Sequence, residues 1–271
     1  MKRLMTLCCL MAITLSLLAR QATAAEQELS IRHGDKNIYG ILSTPDNGQK
    51  RHPVVIIAHG FNGTHHSGRG YFKMLNELGY MCYTFDFPCG GLGSRTDNNT
   101  MNMSVLDEQK ALQDIVRYFR SRPDVDKKHI VLLGESQGGL VATLTAASMK
   151  KQIEKLVLLY PALCIPDDWN ARYPQVSDIP ETTWLWQVPL GRRYFMELRD
   201  MDPYKAVEAY RRPVLIVHGD ADPVVPIVYS RRAVERFRNA SLTVIPGGGH
   251  GFSPKDFQTS LDRIRQFLSG E

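Results

Sequence analysis

With 271 residues, 43% of them apolar and 23% charged, the chain is long enough for one large domain with a substantial core, and its composition excludes a disordered or fibrous protein. The formal charge of +5 overstates its basicity: residues 1–25 hold Lys2, Arg3 and Arg20 and no acidic residue, so without them the charge falls by three, to +2. No Lys/Arg cluster with interleaved aromatics is visible, which argues against nucleic acid as a partner.

The first segment reads as a targeting signal rather than as part of the fold. Lys2 and Arg3 precede the apolar run Leu4 to Leu18, and Ala22-Thr23-Ala24 offers the small-residue pattern of a signal-peptidase site. Residues 1–25 are therefore expected to be a cleaved secretory signal, too short an apolar stretch for a stable membrane span, and residues 26–271 a secreted or periplasmic domain. After cleavage only Cys82, Cys89 and Cys164 remain. An odd number forms no disulfide framework; a Cys89–Cys164 bridge is conceivable, and three free thiols are the simpler expectation. No CxxC or HExxH spacing points to a metal, and no glycine-rich nucleotide fingerprint precedes a helix, so no cofactor is expected.

Leu29 to Arg32 and Asn37 to Ser43 alternate as a hairpin around His33-Gly34-Asp35. Short apolar runs follow at Val54–Ala58, Met81–Phe85, Ile130–Leu133, Leu156–Tyr160, Val214–Val217 and Leu242–Ile245, with helical patterns at Tyr71–Leu78, Val105–Arg120, Gln137–Lys150, Ile227–Phe237 and Pro254–Leu268. Strands alternating with helices predict an α/β fold, a mostly parallel sheet covered on both faces. The interval 161–212 breaks that rhythm: it is rich in Pro and aromatics, shows no strand of comparable strength, and starts where a strand ends at the carboxyl edge. It is expected to be a cap inserted over the site, against the plainer alternative of two helices packed on the core.

Gly134-Glu135-Ser136-Gln137-Gly138 lies between the run Ile130–Leu133 and a helical stretch, the context of a GxSxG nucleophile elbow. A serine hydroxyl needs a base within hydrogen-bond reach, and the base needs an orienting carboxylate. His250, in the loop Gly247-Gly248-Gly249-His250-Gly251-Phe252 after the last strand, is the candidate base. Asp220 and Asp222 compete for the acid: Asp220 could cap the turn, whereas Pro223 restricts Asp222 to an extended conformation that projects it from the strand end, so Asp222 is chosen. Asp256 is a distant third and reads as favourable helix-terminal charge. The oxyanion donors would be the backbone N–H of Gln137 and, from His59-Gly60-Phe61-Asn62-Gly63, that of Phe61. His59 reads as structural and His65-His66 as a solvated pair.

Over nearly its whole length after the signal the chain resembles the cinnamoyl and feruloyl esterases of the α/β-hydrolase fold. The likeness is carried by His59-Gly60-Phe61, Phe85-Asp86-Phe87, Asn102 to Leu106, Gly134 to Gly139, Leu156 to Leu159, His218 to Val225 and Gly247 to Phe252. The resemblance implies Ser136, Asp222 and His250 as a triad, the Phe61 and Gln137 amides as the oxyanion hole, and Asp168, Tyr194 and Gln175 in the cap as readers of ring hydroxyls. It implies a serine esterase releasing hydroxycinnamic acids such as ferulate, p-coumarate or caffeate from small or polysaccharide-linked plant esters. The chain departs from the family at Glu135, where His is frequent, and at Pro88 to Arg95. Competing readings are a broad short-chain esterase or lipase, a prolyl-oligopeptidase-type peptidase, and a catalytically silent binding module.

Overall fold

The computed structural model describes residues 24–270; the expected signal, residues 1–25, lies outside the described residues except for Ala24 and Ala25, the latter being the first residue of a strand. In chain order the strands are β1 (Ala25–His33), β2 (Lys36–Thr44), β3 (His52–Ala58), β4 (Met81–Phe85), β5 (Val125–Glu135), β6 (Lys155–Leu159), β7 (Thr182–Leu185), β8 (Val188–Gly191), β9 (Val214–Gly219) and β10 (Ala240–Ile245). The helices are α1 (Phe72–Glu77), α2 (Val105–Ser121), α3 (Gln137–Ser148), α4 (Ile165–Arg172), α5 (Arg192–Leu198), α6 (Pro203–Ala209), α7 (Val228–Arg236) and α8 (Pro254–Ser269). Eight strands form one sheet in the order β1-β2-β4-β3-β5-β6-β9-β10, antiparallel at β1–β2 and β2–β4 and parallel elsewhere.

Parallel neighbours need covering crossovers on both faces, and the inner strands supply unbroken apolar runs for that purpose at Val54–Ala58, Ile130–Leu133, Leu156–Leu159 and Val214–Val217. Val54, Ile56, Ile130, Leu132, Leu156, Leu158 and Ile216 face one side, where they meet Leu112 and Ile115 of α2, Leu140 and Val141 of α3, and Val207 of α6. Val55, Ile57, Val131, Leu133, Val157, Leu159 and Val217 face the other, against Phe72 and Leu75 of α1 and Ile264 and Leu268 of α8. Ser104 and Ser253 cap α2 and α8 by accepting from the Asp107 and Asp256 N–H groups at 3.1 and 3.3 Å. Asp256 sits in the first turn of α8, where its charge opposes the helix dipole.

The interval 161–212 divides in two. Its last helix, α6, packs on α3 and is the crossover that carries the chain from β6 back to β9. Before it come α4, a 3-10 turn at Val176–Asp178, the antiparallel hairpin β7–β8 and α5. That hairpin is absent from the sequence pattern because its turn is made by Trp186 and Gln187, both at positive φ (46° and 66°), where glycine or asparagine is the usual signal. No described helix is long and apolar enough to cross a membrane, and Cys82, Cys89 and Cys164 are buried free thiols.

The joint between β3 and α3 is tight. A Cβ on Gly138 would stand 2.3 Å from the Ala58 carbonyl oxygen and 2.4 Å from that of His59, so only glycine lets the helix start there. Gly138→Ala is expected to cost about 1–3 kcal/mol or more, the range of overpacked cores, read as a lowered urea midpoint at unchanged slope.

Candidate active site

Ser136 ends β5 and begins α3 with φ 51° and ψ −119°, a left-handed conformation for a residue with a side chain. The turn is held from three sides: the Ser136 N–H donates to Leu159 O at 3.0 Å, and its carbonyl accepts from Gly139 and Ala162 N–H at 2.9 Å each. Its hydroxyl is thereby lifted toward His250, whose Nε2 lies 3.0 Å from Ser136 Oγ. The other ring nitrogen, Nδ1, lies 2.8 Å from Asp222 Oδ2. An Nδ1–H donated to the carboxylate leaves Nε2 as the acceptor of the serine proton, the tautomer a general base needs.

The two aspartates that competed in the sequence hold separate positions. Asp222 is the one beside His250; its Oδ1 accepts from the Val224 and Val225 N–H groups at 2.8 and 2.9 Å. Burial by itself would raise this carboxyl, but the Val225 N–H, the His250 imidazole and the Val224 N–H outweigh it and hold Asp222 below the ordinary carboxylate range. Asp220 Oδ1 instead accepts from Gly247 N–H at 2.6 Å and so ties down the loop that carries His250. A second histidine stands behind the acid. His218 is fully buried, with Nε2 2.9 Å from Val225 O and 3.3 Å from Asp222 Oδ2, and Nδ1 2.7 Å from Ser230 Oγ. Burial lowers its pKa and keeps it neutral, so it braces the Asp222 turn without competing for its charge.

The glycine-containing loop after β3 approaches the elbow closely: a Cβ on Gly60 would lie 3.1 Å from Ser136 Cβ. Neither the Phe61 N–H nor the Gln137 N–H meets an acceptor among the described residues, and both residues line the same cavity as Ser136. His59 lies beneath the loop, its Nδ1 2.8 Å from Gly60 O and its Nε2 accepting from Phe87 N–H at 3.1 Å; burial depresses its pKa, so it stays neutral. His65 and His66 are not a solvated pair. His65 is buried and contacts Asp86 Oδ1 through both its backbone N–H (2.6 Å) and Nδ1 (2.8 Å), because the fully buried Asp86 carboxylate needs donors; Arg95 N–H supplies another at 2.8 Å.

A cavity of about 270 Å³ opens beside Ser136, walled by Phe61, Ala162, Ile165, Trp169, Leu185 and Trp186 among others. Trp186, at the tip of the β7–β8 hairpin, meets the Phe61 ring edge to face at 5.8 Å. The three cap residues expected to read the substrate ring separate here. Asp168 lines the cavity from α4 with an exposed side chain. Tyr194 lines it too, yet is only 1% exposed, and its hydroxyl donates to Gln137 Oε1 at 2.8 Å, so that hydroxyl is already engaged. Gln175 lies outside: it is an exposed residue opening the 3-10 turn, and its N–H donates to Asp178 Oδ2 at 2.9 Å. Among the described residues no group of three or more His, Cys, Asp or Glu side chains gathers around a possible metal position.

Two buried carboxyls flank the elbow. Glu135 accepts from the Tyr71 hydroxyl at 2.6 Å, and Glu108 accepts from Gln137 Nε2 at 3.0 and 3.1 Å. Burial pushes Glu108 up to about 8 and Glu135 up to about 7, against the hydrogen bonds that pull each of them down. The folded protein thus holds protons that the unfolded chain releases near the ordinary glutamate pKa. That stabilisation is complete below this value and is lost as the pH rises through about 7 and then about 8. The urea midpoint should fall over this window, and Glu108→Gln should flatten its upper part; a profile unchanged by the substitution would count against a protonated Glu108.

The pattern of the Alpha/beta hydrolase family matches residues 54–257. An uncharacterized protein of Mycobacterium tuberculosis is 27% identical over 223 residues, 80% of this chain and 70% of its own length. Esterase LipC of Mycobacterium tuberculosis is 26% identical over 233 residues, 75% of this chain and 54% of its own. Among solved structures, Est1E from Butyrivibrio proteoclasticus with ferulic acid bound superposes with a TM-score of 0.80 at 25% identity, covering 89% of this chain and 98% of that one. The family's pattern runs from the third strand of the sheet into its last helix and encloses Phe61, Ser136, Asp222 and His250, so the chain belongs to the alpha/beta hydrolase family.

Proposed function

We propose that the protein is a serine carboxylic-ester hydrolase that releases hydroxycinnamic acids from their esters through an acyl-enzyme. The observation that carries the reaction class is the run of contacts Ser136 Oγ to His250 Nε2 (3.0 Å) and His250 Nδ1 to Asp222 Oδ2 (2.8 Å), beside two unpartnered backbone N–H groups and an open cavity. In this reading Ser136 attacks the ester carbonyl while His250 takes its proton, and the Phe61 and Gln137 amides receive the developing oxyanion. Collapse expels the alcohol, which leaves with the proton from His250. Water then attacks the acyl-enzyme with His250 again as base, and the acid departs. Asp222 keeps the imidazole in its productive tautomer and stabilises the imidazolium at each stage.

The acyl group is proposed on narrower grounds. Ferulic acid is the ligand of a structural neighbour that covers most of this chain, and the cavity here is walled by apolar and aromatic groups with the Asp168 carboxylate facing it. A planar phenylpropenoid suits such walls, and Asp168 can accept from a ring hydroxyl. Lys2-Arg3, the apolar run after them and Ala22-Thr23-Ala24 support export from the cytoplasm, so the substrate would be met outside it.

Ser136→Ala is expected to abolish hydrolysis of p-nitrophenyl acetate and methyl ferulate without unfolding the protein. Asp222→Asn should lower kcat by roughly 10⁴ and Asp220→Asn far less, since the latter loosens a loop and leaves the His250 partner in place. The reverse ranking would move the acid to Asp220.

The acyl preference is tested by comparing kcat/KM for methyl ferulate, methyl p-coumarate and methyl cinnamate. Because Asp168 is exposed, Asp168→Asn should cost roughly two- to tenfold on the two phenolic esters and little on methyl cinnamate. Equal losses on all three would make Asp168 a pocket-wall residue, and a broad short-chain esterase would then be the better reading.

A further inference from the structure

The side chain of Gln137 is held at both ends, and neither contact is part of the reaction described above. Its amide nitrogen donates to Glu108 Oε1 and Oε2 on α2 at 3.1 and 3.0 Å. Its amide oxygen accepts from the Tyr194 hydroxyl on α5 at 2.8 Å. Gln137, Glu108 and Tyr194 are each 2% exposed or less, so no solvent competes for these bonds. The same two outer helices are joined twice more, by the buried Ser104 hydroxyl donating to Glu197 and by the more exposed pair of Arg193 with Asp107 at 2.7 Å.

Gln137 is the first residue of α3, and its N–H shares a peptide plane with the Ser136 carbonyl, whose oxygen accepts from the Gly139, Leu140 and Ala162 N–H groups; the carbonyl end of that plane is held by the main chain, and the nitrogen end by how Gln137 itself is seated. We infer that Glu108 and Tyr194 are positioning residues: together they clamp the Gln137 side chain, set the aim of its backbone N–H at the oxyanion, and make that aim depend on how the cap is seated. The inference rests on the serine-hydrolase reading. A preorganised donor spends no reorganisation when charge develops, and a residue whose side-chain amide is pinned by one partner from the core and one from the cap keeps its backbone N–H in place in that way. It also gives Tyr194 a role in the rate that does not require its hydroxyl to touch the substrate. Glu108 is not among the residues that line the cavity and reaches the site through its contact with Gln137.

The test is steady-state kinetics of Tyr194→Phe, Gln137→Met, Glu108→Gln and Glu108→Leu on p-nitrophenyl acetate, methyl cinnamate and methyl ferulate, with Ser136→Ala as the control. Tyr194→Phe and Gln137→Met should each lower kcat about tenfold on all three esters, short of the roughly 10²–10³ that deleting an oxyanion donor costs, with KM within about twofold of the parent. The double variant should be no slower than Gln137→Met alone, because both substitutions break one chain. Glu108→Gln keeps an acceptor for the Gln137 amide and should retain most of the activity, whereas Glu108→Leu should not. If Glu108→Leu fails to fold, the near-isosteric Tyr194→Phe and Gln137→Met decide the matter. An unchanged kcat in those two variants, or a loss confined to KM on the phenolic ester, overturns the clamp. Full activity in Ser136→Ala would instead remove the reaction itself, and the clamp with it.

Discussion

Everything at this site follows from a backbone that must change direction within one residue. Ser136 leaves a strand and enters a helix at positive φ, a conformation that costs about 1–3 kcal/mol and persists only where the surroundings over-determine it. Here they do: β6 receives the serine N–H, the Gly139, Leu140 and Ala162 N–H groups donate to its carbonyl, and Gly138 allows α3 to lie against the end of β3. The price is met by main-chain contacts rather than by the residues that would do chemistry, so the hydroxyl, the imidazole and the oxyanion loop are left unencumbered. Remove that turn and Ser136 is a surface serine on an ordinary α/β sheet.

The partners of the elbow are sorted by how their hydrogen bonds are used. Two aspartates separated by a single residue end in different places because Asp220 is consumed by the Gly247 N–H, while Asp222 is held by two amides on one oxygen and offers the other to His250. Three further histidines near the site are withdrawn from competition. His59 and His218 are buried and satisfied at both ring nitrogens, and His65 is tied to Asp86. Only His250 keeps a ring nitrogen directed at a hydroxyl beside the cavity.

Much of this architecture is legible in the sequence because it is periodic or local. Six of the eight strands of the main sheet coincide with short apolar runs and the first two with an alternating hairpin pattern, and the long helices announce themselves by the spacing of their apolar residues. The order Ser136, Asp222, His250 is equally visible, since each follows a strand that ends at the same edge of the sheet. What escaped was non-local or lacked its customary signal. The β7–β8 hairpin turns on Trp186 and Gln187, residues that do not mark turns. Asp86, Glu108 and His218 gain their meaning from partners that the fold brings to them, and no spacing in the chain foretells such pairings. Gln175 and Tyr194 were placed by likeness rather than by periodicity; one lies in an exposed turn and the other has its hydroxyl spent on Gln137.

The division of the interval after β6 bears on how such a protein changes its diet over evolutionary time. The crossover helix α6 belongs to the sheet and cannot be exchanged without losing the cover over α3. Pro161 and Ala162 still belong to the elbow, since the Ala162 N–H holds the Ser136 carbonyl, but the stretch from Ile165 to Asp202 leaves the strand order and register of the main sheet untouched, so lineages can lengthen, shorten or replace it and inherit the reacting groups intact. Tyr194 sets a condition on that freedom. A transplanted lid that brought no donor to the Gln137 amide would leave a buried carbonyl oxygen unsatisfied next to the nucleophile. Lid swapping between relatives should therefore succeed as a trade of matched pairs, lid and acceptor together, rather than of lids alone.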